Sequence, residues 1–331
     1  MTIRRRARTR HAPPRPEARP AASAATGRVD RLKLRHLRVL ELVHRLGSLG
    51  AAARELRISQ PTATMLLHEL EEVFGAKLVD RGPRGARLTM AGLRALERLS
   101  IALVSVERGI EAAAAPDLAP VLRLGCVQTA GVKALPSALA RLEQAGMPGP
   151  LELHEGRARD LVAALCAGRL DCVIGWMDET LASALPVGQL DIRPLWYGRM
   201  QVVAARGHPL ARQRAVTVAE LSRSRWIVPP AGSRTHAAYV RLFVGHGFAA
   251  PPVAVECAAL HTTLHLVAAT RFLAVAPDAA VRAYAKRGMV VPLKGPELDL
   301  GANPVSVMTR RDSDGVEAVG KLRDALLADA A

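Results

Sequence analysis

The sequence predicts an α/β protein with three parts: a small helical domain with a β-hairpin, one long helix, and an α/β domain of two lobes. Apolar residues recur at helical spacing between residues 34 and 75 and then at heptad spacing from residue 96 to residue 110. Beyond Pro116, short apolar strands alternate with helices. The chain has 331 residues, about twice the usual length of a domain, which agrees with several folding units.

Positive charge is concentrated at the amino terminus. The net charge is +16, and residues 1–29 hold eight arginines, one glutamate and no apolar period. Such a stretch cannot bury enough apolar surface to offset the entropy of ordering it, so residues 1–29 are predicted to form a disordered basic tail. Binding to DNA phosphates, a solvated extension without function, and a start codon placed too far upstream are the open explanations.

Composition argues against a membrane protein and against a metal site. No apolar run approaches the roughly 18 residues of a membrane-spanning helix, and no leader-like segment opens the chain, so we expect a cytoplasmic protein. His261 and His265 stand four residues apart on a predicted helix but lack the glutamate of an HExxH motif. The cysteines form no CxxC pair and no cluster with histidine, which indicates buried thiols and no cofactor; they are Cys126, Cys166, Cys172 and Cys257.

The first predicted domain covers residues 30–90. The helix that begins at Leu34 ends before Gly47, Ser48 starts a second helix, and Ser59 starts a third, with Pro61 in its first turn. Small residues at the junction of the second and third helices indicate a helix-turn-helix, whose second element enters the major groove of double-stranded DNA.

A hairpin with a Gly/Pro/Arg tip follows over residues 78–89 and has the pattern of a wing, so the domain is predicted to be an all-α winged helix-turn-helix. Its arginines suit contact with phosphates or the minor groove, and a solvated loop is the alternative. The predicted DNA-binding residues are Ser48, Ser59, Gln60, Pro61, Thr62, Thr64, Met65, His68, Arg81, Arg84 and Arg87.

A linker helix is predicted over residues 91–115. Its apolar residues follow alternating steps of three and four, and they are Leu96, Leu99, Leu103, Val106 and Ile110. Because a helix that packs on its own domain needs a broader apolar stripe, we expect this seam to pair with a second copy of the chain.

The last domain is predicted over residues 121–331. Strands are expected at 121–127, 151–154, 171–175, 200–204, 226–229, 253–257, 273–276 and 305–309. Helices are expected at 133–144, 157–167, 233–246, 260–269, 278–286 and 315–327. This alternation indicates a parallel sheet with right-handed crossovers, divided into two lobes.

The sequence resembles the LysR-type transcriptional regulators. Over a stretch of about sixty residues, the sequence matches the DNA-binding signature of that family in identity and spacing, including Gly47-Ser48, Ile58-Ser59-Gln60-Pro61, Leu70-Glu71 and Leu88-Thr89. Weaker matches follow in order, such as Leu135-Pro136, Gly168-Arg169-Leu170-Asp171 and Gly207-His208-Pro209-Leu210.

The resemblance implies a regulator of transcription that is a homodimer or homotetramer and that contacts RNA polymerase. It also implies a periplasmic-binding-protein-like domain of type II, with lobe 1 over about 121–195 and 304–331 and lobe 2 over about 196–303. A small-molecule effector would bind between these lobes.

The predicted effector site lies where the strands end. Ligands of open α/β sheets collect outside the carboxyl ends of the strands, and helix N-termini there favour anions such as carboxylates. The predicted residues are Gln128, Thr129, Ala130, Glu155, Gly156, Gly232, Ser233, Cys257 and Ala258.

Four positions depart from the family pattern. Met65-Leu66 stands where a polar or basic pair is usual, His68 replaces a common Lys or Arg, and Val79 replaces a usual Phe. These changes leave fewer side chains for base edges and a wing base that is less tightly packed.

Two other functions compete with an effector-controlled regulator. An enzyme is one, with His208 and Cys257 as its best candidate residues, but no phosphate loop and no GxSxG motif is present. A regulator of the same family that senses peroxide through a cysteine is the other, although Cys126 and Cys172 fall within predicted strands. We therefore expect a non-enzymatic regulator.

Overall fold

A computed structural model of the protein describes residues 28–82, 85–114, 119–177, 179–185, 187–313 and 316–328. The chain divides into two compact units, Met1–Leu99 and Ser100–Ala331. All but two residues of the predicted basic tail lie outside the described ranges.

The described part of the amino-terminal unit includes three short helices, α1 (Leu34–Leu46), α2 (Leu49–Glu55) and α3 (Gln60–Phe74). Gly47 and Gly75 end α1 and α3 in the left-handed conformation, which glycine adopts without strain. The inward side chains form one core, with members that include Val39, Leu40, Val43, Ala52, Leu66, Leu67 and Leu70.

A hairpin completes this core. Strands β1 (Val79–Gly82) and β2 (Gly85–Leu88) pair in antiparallel register, and Val79 and Ala86 are buried against the three helices. Val79 is only 1 % exposed, so the wing base is closed although the side chain is smaller than phenylalanine. The predicted winged helix-turn-helix fold is confirmed.

The long helix α4 (Met90–Ala114) has 25 residues. The boundary between the two units falls within this helix, after Leu99. The helix therefore contributes its first turns to the amino-terminal unit and its remaining turns to the carboxy-terminal one.

The carboxy-terminal unit alternates strands and helices, as predicted. Its strands are β3 (Leu122–Cys126), β4 (Leu151–Glu155), β5 (Cys172–Trp176), β6 (Leu190–Ala205), β7 (Trp226–Val228), β8 (Val253–Glu256), β9 (Leu273–Pro277), β10 (Val290–Pro292) and β11 (Ala302–Arg310). Its α-helices are α5 (Gln128–Lys133), α6 (Leu135–Ala145), α7 (Ala158–Cys166), α8 (Glu179–Ala184), α9 (Val218–Leu221), α10 (Arg234–Val244), α11 (Leu260–Ala269), α12 (Asp278–Lys286) and α13 (Glu317–Leu327). In the described residues of this unit, short 3-10 helices lie at Val187–Gln189, Pro209–Arg212, Pro296–Leu298 and Arg311–Ser313.

The strands follow the order β4-β3-β5-β11-β6-β9-β7-β8, with β10 also paired to β6. Strands β3, β4 and β5 are parallel to one another, and so are β7, β8 and β9. The prediction of a purely parallel sheet is wrong at its centre, because β11 runs antiparallel to β5 and β6, and β6 runs antiparallel to β9.

One strand belongs to both predicted lobes. The first ten residues of β6 pair with β11, and its last residues pair with β9 and β10. The sequence predicted a strand only from Met200, whereas β6 begins at Leu190. The α/β class with two lobes is confirmed, and the lobes meet along a shared strand.

The segment predicted as one helix at 133–144 covers the last residue of one helix and most of a second. Helix α5 ends at Lys133, and α6 starts at Leu135 with Pro136 in its first turn. A proline is tolerated at a helix start because its missing N–H has no partner there. Among the described residues, the structure contains no helix of the length and apolarity required to cross a membrane.

Candidate functional site

One face of α3 is open to solvent. The outward side chains of Gln60, Pro61, Met65 and His68 are exposed, and Thr62 and Thr64 are half-buried. The opposite face packs into the core through leucines that are at most 6 % exposed, namely Leu66, Leu67 and Leu70. Six of the residues predicted to bind DNA therefore share one accessible face.

The hydroxyls of Ser48 and Ser59 fix the starts of two helices. Ser48 Oγ accepts a hydrogen bond from Ala51 N at 3.3 Å, and Ser59 Oγ accepts one from Thr62 N at 3.2 Å. Ser59 Oγ also lies 2.7 Å from Thr62 Oγ1. These capping bonds hold the first turn of α3, where a helix-turn-helix contacts base edges.

Two carboxylates tie α3 to its neighbours. His36 Nδ1 accepts a hydrogen bond from Lys33 N, so Nε2 carries the proton and donates to Glu69 Oε2 at 2.9 Å. Glu71 Oε1 accepts hydrogen bonds from Leu78 N at 2.7 Å and Val79 N at 3.1 Å. These contacts fix the angle of α3 relative to α1 and to the wing.

The wing presents Arg81 and Arg87 as exposed side chains on β1 and β2. The third predicted arginine, Arg84, lies outside the described residues. The hairpin is anchored to the end of α1, because Ala86 N donates to Gly47 O at 2.8 Å. Two guanidinium groups are thus carried on a strand pair that is fixed to the helix-turn-helix.

The predicted dimerisation seam is divided by its packing. Leu96 belongs to the core of the amino-terminal unit and Leu99 packs against that core, while Leu103 is 5 % exposed within its own chain. Val106 and Ile110 are 39 % and 65 % exposed. Only these last two seam residues lie open to a partner.

In lobe 1, the predicted effector residues gather at the carboxyl ends of β3 and β4. Gly156 N donates to Cys126 O at 3.2 Å, which places Glu155 and Gly156 beside the start of α5. Gln128 is half-buried, and Thr129 and Ala130 are buried. Thr129 as a residue is 4 % exposed, and its buried hydroxyl has no hydrogen-bond partner among the described residues.

In lobe 2, the predicted residues follow β7 and β8. Cys257 N donates to Val228 O at 3.0 Å, so the ends of these strands lie side by side, and Ala258 follows directly. Gly232 turns the chain with φ of 84°, and Ser233 Oγ accepts a hydrogen bond from His236 N at the start of α10.

A stacked pair connects the two lobes. The Arg234 guanidinium, next to Ser233, lies 4.4 Å from the ring centre of Trp176, the last residue of β5. The carboxyl end of β5 is therefore in contact with the start of α10. Gly198 of β6 makes room for this ring, because a methyl group there would lie 2.4 Å from Trp176 Cη2.

A second cation lies over tryptophan in the same unit. Lys133 Nζ is 4.5 Å from the ring centre of Trp196 on β6. Burial lowers the pKa of Lys133, and the nearby Arg282 lowers it further, while Asp278 opposes both effects. Lys133 and Arg234 thus each place a cation against a tryptophan ring, and cations are the groups that bind an anion.

Sequence reasoning missed the four residues of these two stacked pairs: Lys133, Trp176, Trp196 and Arg234. Thr129 was selected because ligands collect where parallel strands end. Trp176 ends a strand and Arg234 follows the predicted Ser233, so the same rule pointed to both. Trp196 lies in the part of β6 that was not predicted.

Four candidate residues of the competing functions are buried, and Cys257 is half-buried. Cys126, Cys166 and Cys172 are buried, and burial together with the charge of Glu155 raises the pKa of Cys126 to about 11. A thiol with a raised pKa is a poor nucleophile, which disfavours a peroxide sensor at this position. His208 Nδ1 accepts from Leu210 N, and its Nε2 donates to Arg271 O, so both ring nitrogens are engaged.

Comparison with known proteins gives two family matches. Residues 34–93 match the bacterial regulatory helix-turn-helix protein model of the lysR family, and residues 116–331 match the LysR substrate binding domain. The second match alone covers more than half of the chain.

Individual proteins agree with these matches. The chain is 28 % identical over 293 residues to the uncharacterized HTH-type transcriptional regulator YdcI of Escherichia coli, covering 86 % of this chain and 91 % of that one. It is 32 % identical to the HTH-type transcriptional regulator CbbR of Xanthobacter flavus, over 67 % of this chain and 66 % of that one. Full-length OxyR from Pseudomonas aeruginosa has a similar fold, with a TM-score of 0.56, 22 % identity and coverage of 89 % and 94 %.

Proposed function

This chain belongs to the LysR family of DNA-binding transcriptional regulators with a substrate-binding effector domain, and from that premise we propose how it reads DNA and which effector it binds. The outward face of α3 reads base edges, with the wing arginines on the backbone. An anionic small molecule, of which a carboxylate is the simplest case, binds between the lobes. The observation that carries this effector site is the buried Thr129 hydroxyl without a partner among the described residues.

Gln60 is proposed as the main base-reading residue because it is the first residue of α3 and carries an amide that pairs with adenine. Replacing Gln60 by alanine should weaken binding to a duplex selected from a random library by about 1–3 kcal/mol. Binding to an arbitrary duplex should stay unchanged when both are measured by fluorescence anisotropy. An equal loss on both duplexes would contradict a role in base reading.

Thr129 is proposed as an effector ligand because a hydrogen bond from its hydroxyl to a bound anion would satisfy a buried polar group. Arg234, stacked on Trp176, and Lys133, stacked on Trp196, are the cations proposed to neutralise that anion. A hydrogen bond to a charged group contributes about 1.5–3 kcal/mol. The Thr129→Val variant should therefore lose about tenfold in affinity, or about 1.4 kcal/mol.

The measurement is a thermal-shift screen of small mono- and dicarboxylates on the full chain, followed by calorimetry on the acids that stabilise it. Thr309→Val is the matched control, because its hydroxyl is also buried without a partner among the described residues but lies at the opposite end of β5, across from Cys172. Both variants binding as tightly as the wild type would show that the pocket is misplaced.

Two further features are proposed from family membership. The protein acts with RNA polymerase rather than as an enzyme, and both ring nitrogens of the enzyme candidate His208 are engaged in hydrogen bonds. It also self-associates as a homodimer or homotetramer, with Val106 and Ile110 as the accessible part of the linker-helix seam.

Replacing both Val106 and Ile110 by aspartate should separate the chains, because it would place charges in an apolar seam. Sedimentation velocity on the wild type and the double variant measures this. Substituting Leu99 and Leu103 would be less informative, since both pack within their own chain. If the double variant has native circular dichroism and an unchanged oligomeric state, the dimer contact lies elsewhere in the chain.

A further inference from the structure

The turn between α2 and α3 contains a strained arginine. Arg57 has φ of 54°, and it is the one non-glycine residue with positive φ in the described part of the chain. It follows the C-cap Leu56, and Ile58 N donates to Ala53 O at 3.0 Å in the closing bond of a Schellman motif. Glycine or asparagine occupies this left-handed position with less strain, so arginine weakens the turn.

Among the described residues, no contact of the Arg57 side chain compensates for this strain. The Arg57 side chain is exposed, and its guanidinium forms no hydrogen bond or ion pair with any residue that the structure describes. The nearby carboxylate of Glu55 is instead paired with Arg45 at 3.4 Å. Backbone strain that intramolecular contacts do not offset is a feature of residues with a role in binding.

The position of Arg57 suits a phosphate. It stands two residues before Ser59, so its Cα lies within about 8 Å of the N-cap of α3. That helix start presents Gln60 and Pro61 to solvent. A guanidinium at this distance from the base-reading turn reaches the backbone that borders the groove, and its fork matches phosphate oxygens.

We propose that Arg57 binds a DNA backbone phosphate beside the major groove, and that the left-handed turn aims its guanidinium there. This proposal rests on the DNA-binding function proposed for α3, and it adds a residue that makes no base contact. The strained turn thus lowers the stability of the folded domain and raises its affinity for DNA.

The experiment compares four substitutions in the full chain. Arg57→Gln removes the charge and keeps the strain, Arg57→Asn and Arg57→Gly remove both, and Arg57→Lys keeps the charge. Arg35→Gln is the matched control, since Arg35 is another exposed arginine of the same unit without a partner among the described residues. Binding to an arbitrary duplex of about three helical turns is measured by anisotropy at several salt concentrations.

Arg57→Gln, Arg57→Asn and Arg57→Gly should each lose about three- to tenfold in affinity at low salt, and the slope of log affinity against log salt should become shallower by about one. Arg57→Lys should retain most of the affinity. The asparagine and glycine variants should also unfold at a higher temperature than the wild type, which a purely structural role would not combine with weaker binding.

The proposal is overturned if Arg57→Gln binds like the wild type, or if Arg35→Gln loses as much affinity as Arg57→Gln. Wild-type protein that binds no duplex at any salt concentration would instead refute the DNA-binding function on which the proposal rests.

Discussion

Replacing Gly92 by alanine should destabilise the amino-terminal unit by about 3 kcal/mol, at the upper end of the usual cost of overpacking. Gly92 lies in the first turn of α4, and a methyl group on it would lie 2.0 Å from Leu78 O and 3.0 Å from Leu78 C. The obstacle is backbone, so no side-chain rotation relieves it. The same carbonyl accepts a hydrogen bond from Thr89 N at 2.9 Å.

DNA binding should fall together with stability. Thr89 Oγ1 accepts from Gly92 N at 3.0 Å and donates to Lys77 O at 2.7 Å, so any displacement of Gly92 also moves the base of the wing. Thermal unfolding followed by far-ultraviolet circular dichroism and anisotropy on an arbitrary duplex measure the two effects.

Gly109→Ala is the matched control, because Gly109 lies in the same helix with nothing within 4 Å of its added methyl group. It should stabilise the helix by up to about 1 kcal/mol. The two alanine substitutions are therefore expected to change the free energy of unfolding in opposite directions. A Gly92→Ala protein as stable as the wild type would contradict the close approach to Leu78.

Replacing Arg108 by methionine should destabilise the carboxy-terminal unit by about 2–3 kcal/mol. The Arg108 guanidinium of α4 pairs with Asp171, whose side chain is 7 % exposed. Asp171 Oδ2 also accepts from Arg123 N at 2.9 Å. Removing one partner of a buried pair costs about 3–5 kcal/mol, and we expect less because the Arg108 side chain is 28 % exposed and the bond from Arg123 remains.

Urea unfolding monitored by tryptophan fluorescence measures this loss selectively, since all three tryptophans belong to the carboxy-terminal unit. Arg193→Met is the control, because Arg193 pairs with Asp191 at the surface and should change stability by less than about 1 kcal/mol. Adding Asp171→Asn to Arg108→Met should recover part of the loss. Equal effects of Arg108→Met and Arg193→Met would show that burial of the Asp171 pair has no energetic consequence.

The sequence was most informative where the structure is local. The helix starts at Ser48 and Ser59 follow from caps that bond within three residues, and they agree with the structure. The start of β6 was missed because Pro194 and the exposed Arg193 interrupt the apolar pattern, and that segment is held by pairing with a strand more than a hundred residues away.

The candidate sites show the same limit. The rule about strand ends selects Thr129 because it needs only chain order, whereas the stacking of Arg234 on Trp176 is a contact between distant segments. The heptad spacing of α4 identified Leu96 as part of an apolar seam but could not distinguish a partner chain from the helix's own domain, and Leu96 packs on its own domain.

The shared strand β6 limits how the lobes can move. Since β6 pairs with β11 along its first ten residues and with β9 and β10 along its last ones, the two lobes are joined through a continuous hydrogen-bonded ribbon. Its ladder is irregular at Val305/Ser306, opposite Trp196 and Pro194. Because a β-bulge increases the local twist of a strand, β6 is expected to twist most within its ladder with β11, five residues before it passes to β9.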